Sequence, residues 1–293
     1  MYSKRQQMLI ECDALSDLLI QQQTNVVVID ATVQLASPQF DGDYRVESGY
    51  MLWKAEHIPT AIHVDQYQDF ADTNKAYSFA PPDVATAQNF LRHLGIRQDS
   101  QVVIYDCRDG IWAARLWWVL ASFGVYSRIL NGGLSAWKRA TYPVIQGEPA
   151  YNPSITIGDI ILTSQSGYWA DINDVEQALQ SDDSTLVCAL GQAQFLGTAV
   201  SRYARRGSIP DSINIPARNF IGTDNKYIAE QDILKILADY DLPQQHTILY
   251  CGGGISACVL AVAIRLVSDT AFSIYDGSLQ QWAQQPQRPL FVG

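Results

Sequence analysis

The segment Cys251-Gly252-Gly253-Gly254-Ile255-Ser256-Ala257 sets one thiol ahead of three consecutive glycines and the start of an apolar run. A thiolate is a far better nucleophile than a thiol, so the chemistry such a segment can do is covalent attack by a stabilised sulfur anion. The stabilising groups are legible as well. Glycines lack Cβ, so their successive N–H groups can turn toward one point, and a helix beginning there adds the positive end of its dipole. The candidate site is therefore Cys251 as nucleophile, with the amides of Gly252, Gly253, Gly254, Ile255, Ser256 and Ala257 as an anion cradle. A buried structural cysteine is the competing reading, because free Cys is among the most buried residue types. Cys258, Cys188 and Cys12, in a helix, a strand and a leading helix respectively, read as packing residues, and Cys107 lacks a following run of glycines.

The elements that must position this loop come next. His246 to Tyr250 reads as a short buried strand and Ala257 to Ile264 as a largely buried helix. The same arrangement occurs earlier in the chain. Asn131-Gly-Gly-Leu-Ser-Ala-Trp137 pairs with Asp276-Gly-Ser-Leu-Gln-Gln-Trp282, and Val102 to Asp106 with Thr247 to Cys251, both at an offset of 145. Upstream, His57-Ile-Pro59 pairs with Ser208-Ile-Pro210 at 151, and Val27 to Asp30 with Thr185 to Cys188 at 158. A repeat this long is a duplicated domain, since solenoid periods run to roughly 50 residues. Each copy alternates β-branched strands (Val26 to Ile29, Val102 to Tyr105) with apolar helices (Ala85 to Leu94, Ala113 to Phe123), which predicts an α/β fold with a mainly parallel sheet. Residues 1–147 form one domain and 154–293 the other, with Gly147 to Pro153 as linker.

Composition narrows the function classes. Thirty acidic against twenty basic residues give a formal charge of −10, which argues against nucleic acid or an anionic membrane as partner; Arg202, Arg205 and Arg206 are a local exception. Met1 to Ile20 lacks an uninterrupted apolar core of the kind an export signal needs. The apolar stretch from Ile111 to Val125 is broken by Arg115 and too short to span a bilayer. Five cysteines without metal-ligand or paired spacing argue against a disulfide scaffold and for a reducing, cytoplasmic setting.

Several motifs in fixed order resemble the tandem-domain rhodanese sulfurtransferases, which act on thiosulfate or 3-mercaptopyruvate. They are His57-Ile-Pro-Thr-Ala61, Tyr105-Asp106 followed by Ala114-Arg115-Leu-Trp117-Trp118, Asn131-Gly-Gly-Leu, Ile209-Pro210 with Asn214-Ile-Pro216, and Tyr275-Asp276-Gly277-Ser278. The Cys251 loop resembles the family's six-residue active-site loop, and its uncharged form is closer to the mercaptopyruvate type. The resemblance implies two rhodanese-like domains of which only the second is catalytic, because Asp106 stands where Cys251 stands in the other copy. It further implies a sulfane sulfur carried as a Cys251 persulfide from a small anionic donor to a thiol or cyanide acceptor, without metal or organic cofactor.

The departures concern the substrate. Family members hold the donor anion with two arginines ahead of the second Ile-Pro motif; here Gln194 replaces the first, Arg202 matches the second, and Arg205 or Arg206 is the alternative. The expected donor-binding set is Gln194, Arg202 and Arg205. Gly253 lacks the small polar side chain of the mercaptopyruvate type, while Ser256 matches a family threonine. Asp65 matches a family aspartate, but Phe79 stands at the position of its histidine partner, so a proton relay is not expected; His57, His63 and Ser208 receive no catalytic role. A cysteine phosphatase would place an arginine directly after the cradle to clamp phosphate, and that position is Ala257. A non-catalytic sulfur-carrier or partner-binding module is the remaining alternative.

Overall fold

A computed structural model of the chain describes residues 3–21, 25–148, 156–181, 183–240 and 247–293. His246 and most of the expected linker, residues 149–153, lie outside the described residues. The first sheet contains β1 (Leu9–Ile10), β2 (Val26–Asp30), β5 (Ile62–His63), β6 (Gln101–Tyr105) and β7 (Ser127–Leu130); β3 (Val33–Leu35) and β4 (Val46–Ser48) form a separate antiparallel pair. The second sheet contains β8 (Trp169–Ala170), β9 (Thr185–Cys188), β10 (Ile213–Asn214), β11 (Thr247–Tyr250) and β12 (Phe272–Tyr275). All pairings within the two five-stranded sheets are parallel.

The strand orders are β1-β7-β6-β2-β5 and β8-β12-β11-β9-β10, which is one topology written twice. The duplication expected from the repeat is therefore the architecture. Central strands β6 and β11 are nearly all buried along their length, as parallel strands with both faces covered must be, and this explains why they read as continuous apolar runs. Among the described residues the β3–β4 pair lies only in the first half, between Asp30 and His57, where the repeat offset shortens from 158 to 151.

Each central strand feeds a loop and then a long apolar helix, Ile111–Ser122 after β6 and Ser256–Val267 after β11. These two helices pack against each other, so the halves share one continuous core. Trp118 extends the contact between the halves, with ring centroids 4.7 Å from Tyr168 and 5.5 Å from Phe272. The chain crosses between halves pinned to the first one: the N–H groups of Gly158, Ile160, Thr163 and Gln165 donate to the carbonyls of Arg92, Ile96, Phe123 and Ser122. The packing of this helix pair brings the loops at both helix starts to one cleft. Among the described residues no helix is long and apolar enough to cross a membrane.

Candidate active site

Cys251 directly follows β11 at the floor of the cleft, with 1% of its surface exposed. The loop that follows is held from behind. Ser278 Oγ accepts from the N–H groups of Cys251 and Gly254, both at 3.1 Å, and donates to Tyr275 O at 2.7 Å. Ser278 is fully buried and adopts φ +46°, a left-handed conformation that a non-glycine residue holds only when its surroundings impose it. The matching residue in the first half is Gly133, at φ +55°. The second half thus accepts a strained serine where glycine would suffice, and gains a hydroxyl that ties both ends of the loop together.

Two further contacts fix the Gly254 carbonyl: Cys258 Sγ donates to it at 3.2 Å and Arg115 Nη1 at 3.0 Å. Arg115 comes from the first half and is buried. Its Nη2 donates to Phe79 O and pairs with Asp276 Oδ1, both at 2.6 Å, and its guanidinium lies 4.8 Å from the Trp169 ring centre. A Cβ on Gly252 would collide with the Tyr203 hydroxyl, so glycine is what allows that phenol to close over the loop. Burial, reinforced by Cys251, holds the Tyr203 phenol far above its ordinary pKa, so it remains a neutral donor.

The first half shows what the loop can bind. Asp106, fully buried at the position of Cys251, receives four amides: Arg108 N at 2.8 Å and Gly110 N at 3.1 Å on Oδ1, Trp112 N at 3.0 Å and Ala113 N at 2.9 Å on Oδ2. Burial pushes this carboxyl up to about 6 against the pull of those amides, so at neutral pH the loop holds an anion. At the repeat offset of 145, the first three donors correspond to Gly253, Ile255 and Ala257. Their N–H groups have no partner among the described residues. A persulfide, Cβ–Sγ–Sδ, ends two bonds from Cβ, as the carboxylate Cβ–Cγ–Oδ does. The Asp106 loop is therefore a filled version of the Cys251 loop.

Of the six expected amides, those of Gly252, Gly254 and Ser256 have no counterpart on Asp106: the Cys107 N–H donates to Thr32 Oγ1, and neither Asp109 nor Ile111 donates to the carboxylate. The Gly254 N–H does not face the nucleophile, because it donates to Ser278 Oγ.

The cleft above Cys251 has a volume of about 500 Å³. Its walls include Gln194, Arg202 and Tyr203 from the second half and Val33, Leu35, Arg108, Asp109 and Trp112 from the first. Of the expected donor-binding set, Gln194 and Arg202 reach the cleft. Arg205 does not: its Nε and Nη2 donate to the carbonyls of Ala283 and Gln285, at 3.0 and 2.8 Å. Arg206 pairs with Asp41 at 2.8 Å. The three arginines that read as one cluster thus go three ways, because the loop carrying them turns at each position.

The other thiols are placed as packing groups. Burial pushes Cys188 and Cys258 up to about 12 and Cys107 up to about 11, and raises Cys12. His57 Nδ1 donates to Trp53 O and His63 Nε2 to Thr32 O, and Asp65 caps the turn by accepting from the N–H groups of Tyr67 and Gln68. None of the three lines the cleft. The sequence reading missed Ser278, Tyr203 and Arg108 as site residues. Arg115 had left a signal, a lone charge in an otherwise apolar helix, and Ser278 left another by replacing the glycine of the repeat.

Residues 12–140 and 169–285 both match the family described as rhodanese-like domain. The chain belongs to the rhodanese family. A putative thiosulfate sulfurtransferase of Mycobacterium tuberculosis, SseB, is 28% identical over 294 residues, covering 99% of this chain and 98% of that protein. A probable 3-mercaptopyruvate sulfurtransferase of Pseudomonas aeruginosa is 28% identical over 278 residues, 92% of this chain and 93% of that one. The Escherichia coli 3-mercaptopyruvate sulfotransferase SseA shares the fold with a TM-score of 0.77 at 24% identity, covering 92% of this rhodanese and 98% of SseA.

Proposed function

We propose that this rhodanese-type sulfurtransferase takes a sulfane sulfur from a small anionic donor, 3-mercaptopyruvate or thiosulfate, carries it as a persulfide on Cys251, and delivers it to a thiol or cyanide. The observation that supports this most is the Asp106 carboxylate on its four amides, a covalent anion two bonds from Cβ in the sister loop, as the outer sulfur of a persulfide would be. The family membership and the two sulfurtransferase relatives point the same way.

In the first step the Cys251 thiolate attacks the donor sulfur. With 3-mercaptopyruvate the C–S bond breaks, the carbon keeps the electron pair and takes the thiol proton, and pyruvate leaves. With thiosulfate the S–S bond breaks and sulfite leaves. Either way Cys251 becomes a persulfide anion, which the amides of Gly253, Ile255 and Ala257 stabilise in place, without reorganisation. In the second step cyanide or a thiolate attacks the outer sulfur, giving thiocyanate or a small persulfide and restoring the Cys251 thiolate. Residues 154–293 carry the chemistry and residues 1–147 supply a cleft wall. The five unpaired thiols fit a reducing cytoplasm.

Cyanolysis tests the reading. The protein incubated with donor and then cyanide releases thiocyanate; Cys251→Ala releases none, whereas Cys107→Ala releases the wild-type amount. Equal loss in both variants sinks the assignment.

A further inference from the structure

The cleft has a cation that the donor-binding set did not contain. Arg108 lines it from the first half, in the loop position matching Gly253, and its side chain is exposed. Its main chain is fixed at both ends: the N–H donates to Asp106 Oδ1 at 2.8 Å, and the carbonyl accepts from Asn225 Nδ2 of the second half at 3.2 Å. Its guanidinium has no hydrogen-bond or ion-pair partner among the described residues.

The other cleft arginine is differently placed. Arg202 Nε donates to Ala36 O at 2.9 Å, which leaves only part of its fork for a ligand. Gln194 brings no charge. An anionic donor entering a chain of net charge −10 needs a local cation, and the described cleft offers one that is wholly uncommitted. Arg108 also borders a second cavity beside Cys107, where Lys138 is already paired with Glu56 at 2.5 Å.

We propose that Arg108 is a donor-specificity residue of the Cys251 site, binding the donor's anionic group across the cleft from the non-catalytic half. The inference rests on the sulfurtransferase reading above. The degenerate loop thus serves the active one: Asp106 occupies the cradle, and this rigid occupation projects Arg108 toward the partner loop. Asp109 lines the same cleft and offsets one positive charge. With Arg108 and Arg202 against Asp109 and the Cys251 thiolate, the cleft's charges balance, so a monocarboxylate such as 3-mercaptopyruvate leaves less uncompensated negative charge there than the thiosulfate dianion.

Steady-state kinetics of the full chain with cyanide as acceptor tests this. Arg108→Ala raises KM for 3-mercaptopyruvate about tenfold with kcat within about twofold, the pattern of lost uniform binding to a charged group. Arg108→Lys recovers part of the loss. The wild-type KM rises with ionic strength and that of Arg108→Ala rises less steeply, because an exposed ion contact is screened by salt while Arg202 remains in the cleft. An unchanged KM in Arg108→Ala, or a fall in kcat alone, overturns the proposal while leaving the sulfurtransferase reading standing. Failure of the wild type to load sulfur from either donor overturns both.

Discussion

Ser278 carries more of the active site than its place outside the Cys251 loop suggests. Its hydroxyl gathers the amides of Cys251 and Gly254 and is itself anchored on Tyr275 O. By turning the Gly254 N–H backward, it leaves the alternate amides of Gly253, Ile255 and Ala257 free for the anion. Ser278→Ala leaves two buried N–H groups without their acceptor at a residue still held at φ +46°. We expect a loss of about 2–6 kcal/mol in denaturant unfolding and at least a tenfold fall in kcat, because each of the two orphaned buried donors costs about 1–3 kcal/mol and the loop loses its shape. A variant with normal kcat would mean that the loop is shaped without the hydroxyl. Cys251 and the glycines were legible at this scale because glycine runs have few other uses, but three consecutive glycines cannot say which amide turns inward. That selection is made by a serine 27 residues away.

At the scale of elements, the strand–loop–helix unit is used twice with opposite outcomes. In the first copy the carboxylate of Asp106 replaces the external anion, at an electrostatic cost set by complete burial. Its pKa rises from an ordinary 3.8 to about 6 in the folded chain. Between those values the folded state holds a proton that the unfolded state has released, so stability from this group is full below pH 3.8 and lost as pH rises through about 6. Two units correspond to at most about 3 kcal/mol. Asp106→Asn removes this slope, which urea titrations at pH 4.5 and pH 7 compare; an identical slope in both proteins would contradict the assignment.

The repeat, the sheet class and the strands around each loop were readable in sequence because apolar runs of fixed spacing survive duplication. The β3–β4 pair was visible only as a change of offset. Arg108 was not visible, since its role arises when two loops of the same kind, 145 residues apart, are folded face to face.

The whole molecule is held by the contact between halves, and the site lies in that contact. Arg115 of the first half and Asp276 of the second form a buried pair that also grips the Gly254 carbonyl. Arg115→Met leaves the Asp276 carboxylate uncompensated, a loss of about 3–5 kcal/mol. Burial already raises Asp276. Without Arg115 it is raised further, so the variant regains stability as pH falls and the carboxyl takes a proton. Arg115→Met combined with Asp276→Leu recovers most of the loss, as thermal unfolding would record, yet stays catalytically poor because the Gly254 carbonyl is released. Full activity in that double variant would separate the interface from the site. The expected donor set went wrong at this scale too: Arg205 has the right charge but faces Ala283 and Gln285, and only the tertiary fold decides where a side chain on an irregular loop points.

The central claim is that Cys251 holds the travelling sulfur on the amide cradle that Asp106 fills in the other copy. Mass spectrometry of the protein incubated separately with 3-mercaptopyruvate and with thiosulfate tests it most directly. The account predicts one added sulfur on the peptide carrying Cys251, more complete with 3-mercaptopyruvate, removed by cyanide and absent in Cys251→Ala. No added sulfur with either donor, or the same sulfur found on Cys107, would contradict it.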